Sequence, residues 1–428
     1  MVTRPDVRPS VDSRLTALDL RDLPPSRHWL PFTQMSTFNA QSRTFVSGSG
    51  TMLVDSNGIA VFDAISSVWT TIHGHGHPRI VDAIARQASV LDHATALGAT
   101  NPVADELAER LCALSALDVA FFASDGASAI EAALKMSVQY WQSCGETKRV
   151  KFIHLRDAYH GDTAGAMSVS DIAAFRSRFQ SLIVESVCYD DVPDALARDD
   201  VAAIIFEPRV QAAAGMRLVS PERYAGMRGA HRPLLIADEI ATGFGRTGSM
   251  FAYEQLGLSP DLVCLGKGVS GGTLALSAVL ASRRIYEAFL GAPDANRQFF
   301  HGHSYAGNPI ACAAALASLD IFESEGTLVH VAELDAAMDE ILAPLFTHPL
   351  VGDVRRAGLM VGIDVAAEAI DPRSAATPAW RVANALYVRG QFTRPIGRTI
   401  QLVPPLCSTR AEIVAFVDAL VDVLEHVA

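Results

Sequence analysis

Two side chains in this sequence have the type and spacing to do chemistry together, Asp238 and Lys267. Asp238 closes the apolar run Leu234-Leu-Ile-Ala237, and Glu239 and a glycine-rich turn ending at Gly248 follow it. Lys267 stands in Cys264-Leu-Gly-Lys-Gly268, just past a second apolar run. Taken singly, such an acid reads as a helix cap and such a lysine as a solvated surface cation. If the two runs are adjacent strands, a carboxylate and an amine enter one crevice at their carboxyl ends.

An amine and a carboxylate in one crevice suit a pyridoxal cofactor. The pyridoxal ring stores electrons only while its nitrogen is protonated, and a buried carboxylate stabilises that charge. A lysine amine condenses with the aldehyde, is displaced by an incoming amine, and then serves as a proton-transfer base. Glycines beside Lys267 are expected to let the backbone come close to the cofactor.

These residues need a scaffold. Between about residues 100 and 315, helical patterns alternate with short apolar runs: Val119–Phe122, Val150–His154, Ala202–Phe206, Leu234–Ala237, Leu262–Leu265 and Ala275–Leu280. That alternation predicts an α/β chain with a mostly parallel, buried central sheet. Earlier, Thr51–Val54 and Ile59–Phe62 flank Asn57-Gly58 and read as a hairpin. A Gly/His-rich loop, Ile72–Pro78, leads into a helix reaching about Leu91. A long helical stretch over Leu316–His348, strands over Val351–Asp364 and Thr399–Val403, and helices over Ala379–Arg389 and Arg410–Val427 predict a smaller α+β region. The expected division is a flexible leader at 1–26, an N-terminal segment at 27–80 joining the small domain, a large domain at 81–315 and a small C-terminal domain at 316–428.

Composition removes other classes. The chain has 428 residues, is 50% hydrophobic, and carries 35 basic against 47 acidic residues, a net charge of −12. Such a balance repels phosphate backbones and argues against nucleic-acid partners and anionic membranes. No apolar run reaches the roughly 18 residues of a membrane span, and the first residues do not read as a secretory signal. A cytoplasmic location is expected. The six cysteines are scattered without a CxxC pair, and their spacing gives no zinc signature. The histidines of Ile72–Pro78 could suggest a metal site, but no metal is expected.

The block Asp238-Glu-Ile-Ala-Thr-Gly-Phe-Gly-Arg-Thr-Gly248 with Leu265-Gly-Lys-Gly268 resembles the signature of class III aminotransferases of fold type I. Within that class, Ser66-Ser-Val-Trp69, Tyr159-His-Gly-Asp-Thr163, Gly271-Gly-Thr-Leu274, His301-Gly302, Gly307-Asn-Pro309 and Arg394-Pro395 make the chain most similar to the diaminopelargonate aminotransferases of biotin synthesis. The likeness runs from about Trp29 to the C-terminus. It implies pyridoxal 5'-phosphate as cofactor, with Lys267 as the Schiff-base lysine and Asp238 as partner of the ring nitrogen. By the same resemblance the amides of Gly126 and Ala127 cradle the phosphate, Tyr159 stacks on the ring beside His160, and Glu207 is the nearby strand-end acid. Ser304 would reach the phosphate of a neighbouring subunit, which implies a homodimer with shared sites. Arg394 would grip a substrate carboxylate.

Substrate positions depart from that pattern. Val68 stands where relatives carry the first Trp of a pair completed here by Trp69. Phe32 and Gln401 stand where relatives carry Tyr, and Ala127 where they carry Ser or Thr. An amine donor and a ketone or aldehyde acceptor are therefore expected, with 8-amino-7-oxononanoate or another carbonyl compound as acceptor. An aminomutase or racemase on the same scaffold, and a non-catalytic protein that binds the cofactor, are the other readings.

Overall fold

The computed structural model describes residues 27–35, 43–189, 196, 198–227, 233–366 and 377–427. The expected leader at 1–26 lies outside the described residues.

The chain opens with β1 (Phe45–Ser49), β2 (Met52–Asp55) and β3 (Ala60–Asp63), which pair antiparallel. Their hairpin turns at Asn57-Gly58, where Asp55 Oδ1 accepts the amides of Asn57 and Ile59, each at 2.9 Å. Gly58 takes φ 80°, which a residue without Cβ adopts at little cost. Helices α1 (Pro78–Val90) and α2 (Pro102–Ser115) follow, each with proline in its first turn.

A seven-stranded sheet forms the centre. It contains β4 (Val119–Ala123), β5 (Lys151–Leu155), β6 (Val187–Tyr189) and β7 (Val201–Phe206). After a small hairpin of β8 (Val210–Gln211) and β9 (Arg217–Leu218) come β10 (Leu234–Asp238), β11 (Leu262–Leu265) and β12 (Ser277–Ala281). The spatial order is β4-β12-β11-β10-β7-β5-β6. All neighbours are parallel except β12, which runs antiparallel to both β11 and β4. Every residue of β7, β10, β11 and β12 is buried. Their continuous apolar sequences are what burial on both faces of a sheet requires. Helix α3 (Gly126–Ser143) covers one face, and Trp141 Nε1 donates to the Ala202 carbonyl at 2.7 Å.

Beyond the sheet, the single helix expected over Leu316–His348 is two helices, α4 (Pro309–Ser324) and α5 (Thr327–Phe346). Gly326 separates them at φ 62°, a left-handed position that ends an α-helix and that glycine enters freely. Strands β13 (Val351–Ala357) and β14 (Met360–Val365) form an antiparallel sheet with β16 (Thr399–Leu402). Helices α6 (Pro378–Val388) and α7 (Arg410–Val427) complete the C-terminal part. Strand β15 (Gln391–Phe392) pairs parallel with β3, so the N-terminal hairpin joins this end of the chain. Among the described residues, no helix is long and apolar enough to cross a membrane.

Candidate active site

Five strand ends converge on one cavity. Parallel pairing sets Ala237 of β10 opposite Phe206 of β7, so the next residues, Asp238 and Glu207, emerge side by side. On the other flank Asp238 faces Cys264 of β11, and Lys267 follows just past that strand. Tyr159 and His160 come from the loop after β5, and Gly126 and Ala127 open α3 after β4. The cavity has a volume of about 480 Å³ and is lined by Lys267, Asp238, Glu207, Tyr159, His160 and Trp69, among others, with Asp125, Gly126 and Ala127 at one end.

Hydrogen bonds fix the acids. Asp238 Oδ2 lies 2.6 Å from His160 Nδ1, and Oδ1 accepts the amide of Ile240 at 3.1 Å. Glu207 receives the amides of Tyr159 at 3.1 Å and Ala212 at 3.2 Å. Burial pushes the Glu207 carboxyl well above its ordinary range, the charge of Asp238 adds to this, and the two amides oppose it. Burial also lowers the Lys267 amine, against the pull of Asp238 and Glu207. Its Nζ sits 5.1 Å from the centroid of the Trp69 ring. The Tyr159 hydroxyl donates to Asp162 Oδ2 at 2.7 Å, and burial raises its pKa above the usual phenol range.

Glu239, the second acid of the sequence block, turns away from the cavity. It accepts from Thr242 Oγ1 at 2.7 Å and from the Tyr253 amide at 2.8 Å, tying down the glycine-rich turn. Arg246 of that turn is fully buried and clamps the Pro404 and Thr71 carbonyls at 2.6 and 2.8 Å. The glycines beside Lys267 also have a packing role. A Cβ on Gly266 would meet Ile240 at 3.2 Å and one on Gly268 would meet Ile72 at 2.9 Å, so they make room for packed protein side chains.

Trp69, the aromatic neighbour of Lys267, closes an unusual four-residue turn. Ser66, Ser67, Val68 and Trp69 have φ of 50°, 49°, 67° and 66°. A left-handed turn of L-residues costs roughly 1–2 kcal/mol per residue. Here Ser66 Oγ donates to the Val403 carbonyl at 2.7 Å, Ser67 Oγ to Asp63 Oδ2 at 2.9 Å, and Trp69 Nε1 to Gln401 Oε1 at 2.8 Å.

The other expected substrate residues form a layer outside the cavity lining. Gln401 is buried and spans from Trp69 to the Arg394 carbonyl, which its Nε2 reaches. Arg394 Nη2 donates to the Phe32 carbonyl at 3.1 Å. The Phe32 ring meets Phe175 edge-on at 5.2 Å, and Phe175 meets Tyr159 at 5.6 Å. Val68 is exposed on the left-handed turn, and Ser304 is exposed and does not line the cavity of its own chain. Sequence reading passed over Asp162, which orients Tyr159, and Ile240, which lines the cavity. Both lie inside the quoted blocks, but nothing in their residue type marks them.

The donor set suits the three handles of pyridoxal phosphate: an amine for its aldehyde, a carboxylate for its ring nitrogen, and, for its phosphate, the first amides of α3, which have no carbonyl partner within the helix. Gly161 at φ 128° keeps this end narrow and open, since a Cβ there would stand 2.6 Å from that of Ala127.

A mostly parallel sheet with these groups at its strand ends defines a pyridoxal-phosphate enzyme of the transaminase type. Residues 37–424 match the family model of class III aminotransferases, and the chain belongs to that family. Among relatives, it is 38% identical to the adenosylmethionine-8-amino-7-oxononanoate aminotransferase of Aquifex aeolicus, over 92% of this chain and 94% of the relative. It is 39% identical to that of Synechococcus elongatus, over 93% and 98%. The crystal structure of the Methanocaldococcus jannaschii enzyme of the same name superposes with a TM-score of 0.85 at 34% identity, covering 93% of this chain and 97% of that one. An amine transaminase from an uncultivated Pseudomonas species, in its pyridoxal-phosphate-bound form, gives 0.87 at 31% identity, covering 95% and 100%.

Proposed function

We propose that this aminotransferase carries an amino group from an amine donor to 8-amino-7-oxononanoate, the acceptor for which its relatives are named. The supporting observation is Arg394, one layer beyond the cavity, whose backbone carbonyl is joined to Trp69 through Gln401 and whose guanidinium donates to the Phe32 carbonyl. A planar fork of donors suits a carboxylate held away from the reacting carbon.

Pyridoxal phosphate supplies a carbonyl that takes up amines and a ring that stores electrons from the donor carbon. Lys267 Nζ would hold the cofactor and, once released from it, could move a proton as a general base. Its lowered pKa raises the share of neutral, nucleophilic amine. Asp238, braced by His160 and the Ile240 amide, balances positive charge at the ring nitrogen. Burial, with the charge of Asp238, shifts the Glu207 carboxyl toward its neutral form. Tyr159 flanks the cofactor, and Trp69 shields the amine from water. Donor and acceptor take turns in one site, which gives ping-pong kinetics.

A second reading, an amine or ketone of a different shape, is supported by Val68 and Gln401. Val68 is exposed and much smaller than an indole, and Gln401 is engaged with Trp69 and the Arg394 carbonyl. The half-reactions separate the two. If S-adenosylmethionine or another amine bleaches the bound-cofactor absorbance and 8-amino-7-oxononanoate restores it, the first reading stands. If only other carbonyl compounds restore it, the second replaces the first. Neither half-reaction should proceed in Lys267→Ala.

We further propose a homodimer with shared sites in a cytoplasmic setting. Phe300 and Tyr305, on the stretch that carries Ser304, are 68% and 64% exposed, an apolar surface that a second copy would cover. Sedimentation at micromolar protein tests this, and a stable active monomer would refute it. The domain limits inferred from the sequence also stand as a proposal. Limited proteolysis near residues 80 and 315 tests them.

A further inference from the structure

Behind the cofactor loop, outside the cavity, the fold gathers a histidine, an aspartate and a cysteine. His154 of β5 and Cys188 of β6 are direct partners in the parallel register, so their side chains leave the same face of the sheet side by side. Asp171 reaches over them from the loop after the short helix Ala164–Ser168. One donor atom from each lies within 4.8 Å of the other two, and Cys188 Sγ is 3.7 Å from Asp171 Oδ2.

We propose that His154, Asp171 and Cys188 bind a divalent transition-metal ion of zinc type. Three features carry the assignment. The donor types are those zinc takes, and bonds of about 2.0–2.3 Å at tetrahedral angles put ligand atoms roughly 3.3–3.7 Å apart. The sulfur–oxygen pair already has that separation, and the remaining pairs, within 4.8 Å, close by at most about 1.5 Å on binding. His154 is pre-oriented: its Nδ1 donates to the Leu155 carbonyl at 3.1 Å, which leaves Nε2 with the lone pair. A backbone carbonyl in this role is one of the common second partners of a metal-ligating histidine. The carboxylate is also aimed. Asp171 Oδ2 takes the Asp157 amide at 3.1 Å, and Arg176 stands 3.9 Å from the other oxygen, Oδ1.

Three protein ligands leave one position for water. Binding exchanges the Cys188 proton for the metal and releases it to solvent. Because Asp171 also donates its own amide to the Ala158 carbonyl, the ion braces the loop whose next residues are Tyr159 and His160.

The test uses untagged holoenzyme, stripped with a chelator and titrated with Co²⁺ and then Zn²⁺. One Co²⁺ per chain should bind, with visible bands of tetrahedral intensity and a thiolate charge-transfer band. Zn²⁺ should displace it and raise the melting temperature. Cys188→Ser and Asp171→Asn should each weaken binding at least tenfold, while Cys144→Ser/Cys407→Ser should leave it intact. Absence of tight binding, unchanged binding in Cys188→Ser, or loss in the Cys144/Cys407 variant overturns the assignment. Should Cys188→Ser fail to fold, Asp171→Asn decides alone.

Discussion

His160 Nδ1 lies 2.6 Å from Asp238 Oδ2, with both side chains buried and the pair closing the floor of the cavity. The contact ties the loop after β5 to the end of β10, so it aims the acid as well as supporting its charge. Asp238→Asn keeps the shape and removes the charge. We expect the rate of the half-reaction to fall by about 10²–10⁴-fold with secondary structure unchanged. His160→Ala should cost about tenfold, and the double variant should lose less than the product of the two, since the residues act through one bond. Stopped-flow traces of cofactor absorbance give all three numbers, and multiplicative losses would show that the pair does not act as a unit.

Gln401 links Trp69 to the backbone of Arg394. Gln401→Leu leaves a buried indole N–H and a carbonyl without partners, at about 1–3 kcal/mol of stability. Trp69 then loses its fixed position over Lys267. The expected kinetic result is a rise in KM and a relaxed choice of substrate, with smaller change in kcat. A variant with wild-type KM for every substrate would contradict this.

Val68 holds φ 67° with a β-branched side chain that is 44% exposed. Val68→Gly removes the steric cost of that conformation but adds chain entropy to the unfolded state, roughly 0.5–1 kcal/mol. The balance favours the variant by up to about 1 kcal/mol in urea melts. The same position faces solvent beside Trp69, so bulky amines should gain activity. A destabilised variant would mean that contacts made by the isopropyl group outweigh backbone strain.

His73 is buried, stacks edge-on with Phe322 at 4.9 Å and bonds Ser318 Oγ at 3.0 Å. Burial, aided by His77, pushes its pKa from 6.5 down to about 3. The unfolded chain therefore takes up a proton near pH 6.5 that the folded chain refuses until about pH 3. Stability is lost as pH falls through this window, by about 3 kcal/mol on reaching pH ~4. His73→Asn, which can keep the bond to Ser318, should flatten that part of the stability profile. An unchanged slope would place the acid sensitivity elsewhere.

What the sequence determined by itself was whatever contiguous residues encode. Short apolar runs set between helical patterns specified β7, β10 and β11, because strands buried on both faces need unbroken hydrophobicity. Strand ends deliver their next residue to one edge of a parallel sheet, so the meeting of Asp238 with Lys267 was legible from two short blocks. Only tertiary structure decided the rest. Gly326 could have sat within a helix, and its left-handed φ, which splits α4 from α5, depends on how the two helices pack. The antiparallel course of β12 is set by pairing with β11 and β4, since the pattern of a buried strand is the same in either direction. The bond from Trp69 to Gln401 and the grouping of His154, Asp171 and Cys188 join residues far apart in the chain, which strand register and loop closure place together and no local spacing records.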